Sequence, residues 1–97
     1  VHGNEASSTE AAMKTLYELV NPTNAQTKEW LKNTIVIIDP CLNPDGRDRY
    51  VNFYYQNGNL PAQPDPQARE HREPWATGRP NHYLFDMNRD WAWLTQQ

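Results

Sequence analysis

A single cysteine, Cys41, leaves this chain unable to form an internal disulfide. No stretch approaches the ~20 consecutive apolar residues that a membrane-spanning helix needs, and no signal-peptide pattern is visible. Neither sign of charge dominates. Nine Lys and Arg stand against twelve Asp and Glu for a net charge of -3, and the two signs are interspersed, which offers no basic face to nucleic acid. Apolar residues are scarce as well, at 37% with a mean hydropathy of -0.97, so the chain is poorly supplied for a core of its own. Yet four Trp, five Tyr and two Phe are too many aromatics for a disordered tail. Together these facts predict a chain that supplies part of a core completed by other segments. Its opening on Val1 rather than Met fits the expectation of a piece of a larger domain.

The pattern along the chain predicts two helices and then a strand. Ser7 with Glu10 three residues on is a capping-box pattern, and Ala12, Met13, Leu16, Tyr17, Leu19 and Val20 recur at helical spacing. Asn21-Pro22 ends that helix, because proline cannot continue the hydrogen-bond ladder. A shorter helix is expected from about Asn24 to Lys32, with Trp30 and Leu31 turned inward. The β-branched run Thr34-Ile35-Val36-Ile37-Ile38-Asp39, stopped by Pro40, reads as a strand buried on both faces. This order implies an α/β fold with a mixed or parallel sheet, of which the chain holds one or two strands. Asn43-Pro44-Asp45-Gly46 reads as a turn just past the strand's C-terminal end, the edge where open α/β sheets bind ligands. From Asn57 to Pro80 five prolines predict a long loop with Trp75 as an anchor. His82 to Leu94 is read as a short strand running into a helix.

The chemistry concentrates at the start. In His2-Gly3-Asn4-Glu5 an imidazole and a carboxylate stand three residues apart where a loop enters a helix, a compact way to aim both at one zinc ion. The spacing alone also fits a loop histidine followed by a glutamate that the helix macrodipole favours.

The order of three motifs adds to that reading. His2-Gly3-Asn4-Glu5, then Asn43-Pro44-Asp45-Gly46, then Phe85-Asp86-Met87-Asn88-Arg89 resembles the zinc metallocarboxypeptidases of the carboxypeptidase A type, over essentially the whole chain. The resemblance implies that residues 1–97 are part of a mixed-sheet α/β catalytic domain whose reaction is hydrolysis of a C-terminal peptide bond by metal-activated water. It implies His2 and Glu5 as two of three protein ligands of one zinc ion, and Asn88 with Arg89 as the clamp on the substrate's terminal carboxylate. Zinc accepts imidazole nitrogen and carboxylate oxygen, and a guanidinium fork gives a carboxylate two parallel hydrogen bonds. Asp86, two residues ahead of the Asn-Arg pair, takes the place of the aspartate that orients the ligand histidine, with a solvated turn aspartate as the competing reading. A further arginine of the family polarises the scissile carbonyl. Arg79, beside Gly78, is the preferred candidate and Arg72 the second, each weighed against a solvated loop arginine.

In the family the third zinc ligand, a substrate-capping tyrosine and the general-base glutamate lie further along the chain, so the isolated 97 residues are expected to be inactive. His71 and His82 precede the Asn-Arg pair and are read as an exposed residue and a packing or hydrogen-bonding residue. Two other readings stand beside the peptidase. N-acyl amino acid deacylases of the succinylglutamate desuccinylase and aspartoacylase kind share His-Gly-x-Glu and Asn-Arg, and a non-catalytic relative would keep the clamp without the base. The expected partner is a peptide with a free C-terminal carboxylate, with neither nucleic acid nor membrane. Compartment stays open, with secreted or periplasmic favoured.

Overall fold

The computed structural model describes residues 1–96. It holds three α-helices, α1 (Ala6–Val20), α2 (Ala25–Leu31) and α3 (Pro44–Asn57), with short 3-10 turns at Arg69–His71 and Met87–Arg89. Among the described residues there is no strand, so the expected α/β mixed-sheet fold is corrected to a helical one. The reason lies in Thr34 to Asp39. A strand exists through its ladder partner, and no described segment pairs with this one. Two of its isoleucines are accordingly bare, Ile35 and Ile37 each 91% exposed. The short strand expected after His82 is likewise absent, and the helix expected beyond it is only the 3-10 turn Met87–Arg89.

The chain divides into two units, Ala6–Pro40 and a second made of Val1–Glu5 with Cys41 onward. In the first, α1 ends at Val20, ahead of Asn21-Pro22. Ser7 lies inside α1, so it does not act as the expected N-cap. α2 is capped by Asn24, whose side chain accepts from Thr27 N at 3.1 Å. Thr27 is buried and donates to the Glu18 and Asn24 carbonyls, at 3.2 and 3.1 Å. The apolar face of α1 is not covered: Met13, Leu16, Tyr17 and Val20 are exposed, as are Trp30 and Leu31 of α2, which were expected to turn inward.

The second unit is built on α3, whose first residues fall in the stretch expected to be a turn. Asn43-Pro44-Asp45-Gly46 is a helix start: Asn43 is the N-cap, accepting from Gly46 N at 2.9 Å, and Pro44 takes the first position, where no N–H is needed. The buried apolar side chains here are Phe53 and Met87, and His2, Asn43, Asn81 and Asp90 are buried polar ones. The unit is therefore held by hydrogen bonds from side chains to backbone as much as by apolar packing. Arg49 of α3 donates to the carbonyls of Thr77 (2.9 Å), Pro80 and Asn81 (3.1 Å), and Asn43 Nδ2 donates to those of Arg79 and Pro80, both at 3.0 Å. Between them they fasten residues 77–81 along the first turns of α3.

Candidate metal centre

Three backbone segments meet at glycines to build the site. A Cβ on Gly3 would collide with the backbone of Gly46 and Arg47. One on Gly78 would lie 2.6 Å from the Gly46 carbonyl oxygen and 2.8 Å from Tyr50 Cβ. Glycine is thus required where the His2 segment and the Arg79 segment press against the start of α3. The His2–Glu5 stretch is closed by a hydrogen bond from Glu5 N to the His2 carbonyl at 3.2 Å, which brings the two side chains to one side.

His2, its side chain only 5% exposed, stands between two carboxylates. Its Nδ1 is 2.9 Å from Glu5 Oε1 and its Nε2 is 3.0 Å from Asp86 Oδ1. Arg79 completes the group: Nε donates to Asp86 Oδ2 at 2.9 Å, and Nη1 lies 3.3 Å from His2 Nδ1. Asp86 also caps the 3-10 turn Met87–Arg89 by accepting from Asn88 N at 3.0 Å. Desolvation pushes the Asp86 carboxyl up, but the hydrogen bonds from His2, Asn88 N and Arg79 outweigh it and hold the group below its ordinary value. The Glu5 carboxyl is also lowered, chiefly by its hydrogen bond with His2, against some desolvation.

One tautomer suits a metal: with the ring proton on Nε2 facing Asp86, Nδ1 is bare toward Glu5 and can accept from Arg79 Nη1. In that tautomer Nδ1 and Glu5 Oε1 are both acceptors, 2.9 Å apart, an arrangement a cation would satisfy. Imidazole nitrogen with carboxylate oxygen is a donor pair zinc accepts, and donors bonded to one zinc at roughly 2.0–2.2 Å stand roughly 3 Å apart. The pair fits. Among the described residues no group of three or more His, Cys, Asp or Glu gathers as a metal site.

The carboxylate-clamp candidates meet this group through the backbone of Asn88, which donates to Asp86. Asn88 and Arg89 are exposed; Asn88 Oδ1 accepts from Trp91 Nε1 at 3.0 Å, and Arg89 Nη1 lies 3.5 Å from the Asn88 carbonyl oxygen. Asp86 pairs with Arg79, and Asp90 accepts from Thr95 and Gln96. Of the two arginine candidates it is Arg79 that meets His2, whereas Arg72 is exposed. His71 is exposed and bonds the Gln63 carbonyl at 2.7 Å, and His82 is exposed with its ring edge-on to Tyr83.

Comparison with known families decides the assignment: residues 1–97 match the zinc carboxypeptidase family along their whole length. The chain belongs to the zinc carboxypeptidase family. Searches of curated proteins and of solved structures returned no match. Membership makes it part of a hydrolase family that uses zinc and acts on peptides. Two residues that fasten the segments around His2 and Arg79 are not singled out by the sequence: Arg49 and Glu73. Gly46, Arg49, Tyr50 and Phe53 recur at helical spacing, and that period was the available signal for α3 and Arg49. Nothing in the sequence marks Glu73.

Proposed function

We propose that the chain carries the metal-binding and carboxylate-clamping portion of an enzyme that removes C-terminal residues from peptides. The observation that supports this best is His2 set between two carboxylates, with Asp86 on one ring nitrogen and Glu5 beside the other. His2 Nδ1 and Glu5 would hold the zinc. When bound, zinc supplies Lewis-acid polarisation and lowers the pKa of a coordinated water. Asp86 keeps the His2 proton on Nε2 and its lone pair on Nδ1, as carboxylates behind ligand histidines do. Arg79 reaches the same place with a fixed positive charge, suited to an oxygen that becomes anionic as the scissile carbonyl is attacked. Arg89, exposed, keeps its fork for a terminal carboxylate, with Asn88 beside it.

The test is hydrolysis by the full-length zinc-loaded protein of a peptide with a free C-terminus, of its C-terminal amide, and of N-acyl amino acids. The free-acid peptide is expected to be cleaved, the amide spared, and activity lost on chelation. Arg89→Ala should lower kcat/KM about ten- to hundredfold, the worth of hydrogen bonds to a charged group. Cleavage of N-acyl amino acids alone would make the protein a deacylase. Bound zinc with neither activity would make it a non-catalytic relative.

A further inference from the structure

Arg79 is held on its α3 side by Asn43, but what registers it against the His2–Glu5 segment is a different side chain. We propose that Glu73 is a positioning residue for Arg79. Its carboxylate spans the two segments: Oε2 accepts from Asn4 Nδ2 at 2.8 Å, and Oε1 accepts from the Gly78 N–H. Asn4 lies between His2 and Glu5, and Gly78 immediately precedes Arg79. One half-buried carboxylate therefore links the metal-facing turn to the backbone of the arginine that shares its site, across 69 residues of sequence.

The charge of Glu73 matters to this role. Its oxygens accept from a backbone N–H and an amide N–H, and bonds to an ionised acceptor are the stronger kind. The long side chain of Arg79, 42% exposed, would otherwise have the freedom to leave Nδ1 of His2. Glu73 bonds neither zinc candidate and does not bond the Arg79 side chain, so it acts through placement alone. The inference rests on the reading of Arg79 as the carbonyl-polarising residue.

A double-mutant cycle in the full-length zinc-loaded enzyme tests it, with kcat, KM, zinc content and thermal midpoint measured for Glu73→Ala, Arg79→Ala and the pair. Misplacing a group by about 1 Å costs about a hundredfold, so Glu73→Ala is expected to lower kcat by about ten- to a hundredfold. KM should stay within about twofold and zinc content should not change, because the clamp and the ligands are untouched. In the Arg79→Ala background, Glu73→Ala should cost nothing further in kcat, since there is no arginine left to place. Asn4→Ala cuts the same link from its other end, and carries the cycle if Glu73→Ala does not fold. Losses that multiply, an undiminished kcat in Glu73→Ala, or loss of zinc in parallel with kcat would overturn the proposal. An undiminished kcat in Arg79→Ala would instead sink the reading of Arg79 on which it stands.

Discussion

Glu70 gathers three N–H donors on one carboxylate: Asn59 N at 2.9 Å and Asn59 Nδ2 at 2.7 Å on Oε2, and Gln63 N at 2.5 Å on Oε1. Its side chain is 8% exposed, and His71 stands 3.7 Å from Oε1. The Asn59 side chain first, and then the Gln63 backbone, hold the Glu70 carboxyl below its ordinary value of 4.5, against some desolvation. A carboxylate whose pKa is depressed by folding contributes stability in full above its unfolded value. That contribution is lost as pH falls through the lower folded value. Protection of the Asn59 and Gln63 amides against hydrogen exchange should thus be level from neutral pH to about 5, and drop as pH falls below about 4.5. Glu70→Gln should lower the protection at neutral pH and flatten this dependence. Protection that falls equally in both proteins would show that another group governs the loop. The same contrast explains what the sequence could disclose at this scale. Asp86 is singled out in the sequence by its offset from Asn88 and Arg89, which belongs to a motif. Glu70 and Glu73 are not, since a carboxylate is made structural by its donors, and Glu73 finds Asn4 at the far end of the chain.

α3 shows how one residue can join an element to the site. Asn43 both starts the helix, through Oδ1 to Gly46 N, and donates Nδ2 to the carbonyls of Arg79 and Pro80. Aspartate caps a helix about as well as asparagine, so Asn43→Asp separates the two tasks. It keeps the cap and replaces a buried amide donor with an oxygen facing two carbonyls. We expect helix content to persist by circular dichroism, while the full-length protein loses about 1–3 kcal/mol, the cost of buried groups left unpaired. Unchanged stability would mean the loop at 77–81 is held by Arg49 without Asn43. Elements were read well from sequence where a local rule suffices, as at the end of α1 and the start of α2. They were misread where two rules compete. Asn-Pro-Asp-Gly serves a turn and a helix start alike, and the residues that follow decide between them. The run from Thr34 to Asp39 has strand propensity, but propensity cannot supply a partner.

At the scale of the whole molecule, the scarcity of apolar residues is compounded by where they lie. Phe53 and Met87 are the buried hydrophobic side chains among the described residues, while Ile35, Ile37, Leu60 and Trp75 are each at least 85% exposed. Apolar burial is the dominant favourable term in folding, and ordering a backbone opposes it at every residue. The polar network of the site can specify geometry, since each buried side-chain N or O among the described residues has a partner. Its net contribution per hydrogen bond is nonetheless small, because water offers the same bonds to the unfolded chain. Residues 1–97 produced alone should therefore melt over a broad range with little heat-capacity change, and should bind a hydrophobic dye at room temperature. Calorimetry and dye fluorescence on that segment check the expectation. A sharp, reversible transition without dye binding would show that hydrogen bonds centred on His2, Asn43 and Asp90 hold this chain with almost no apolar core.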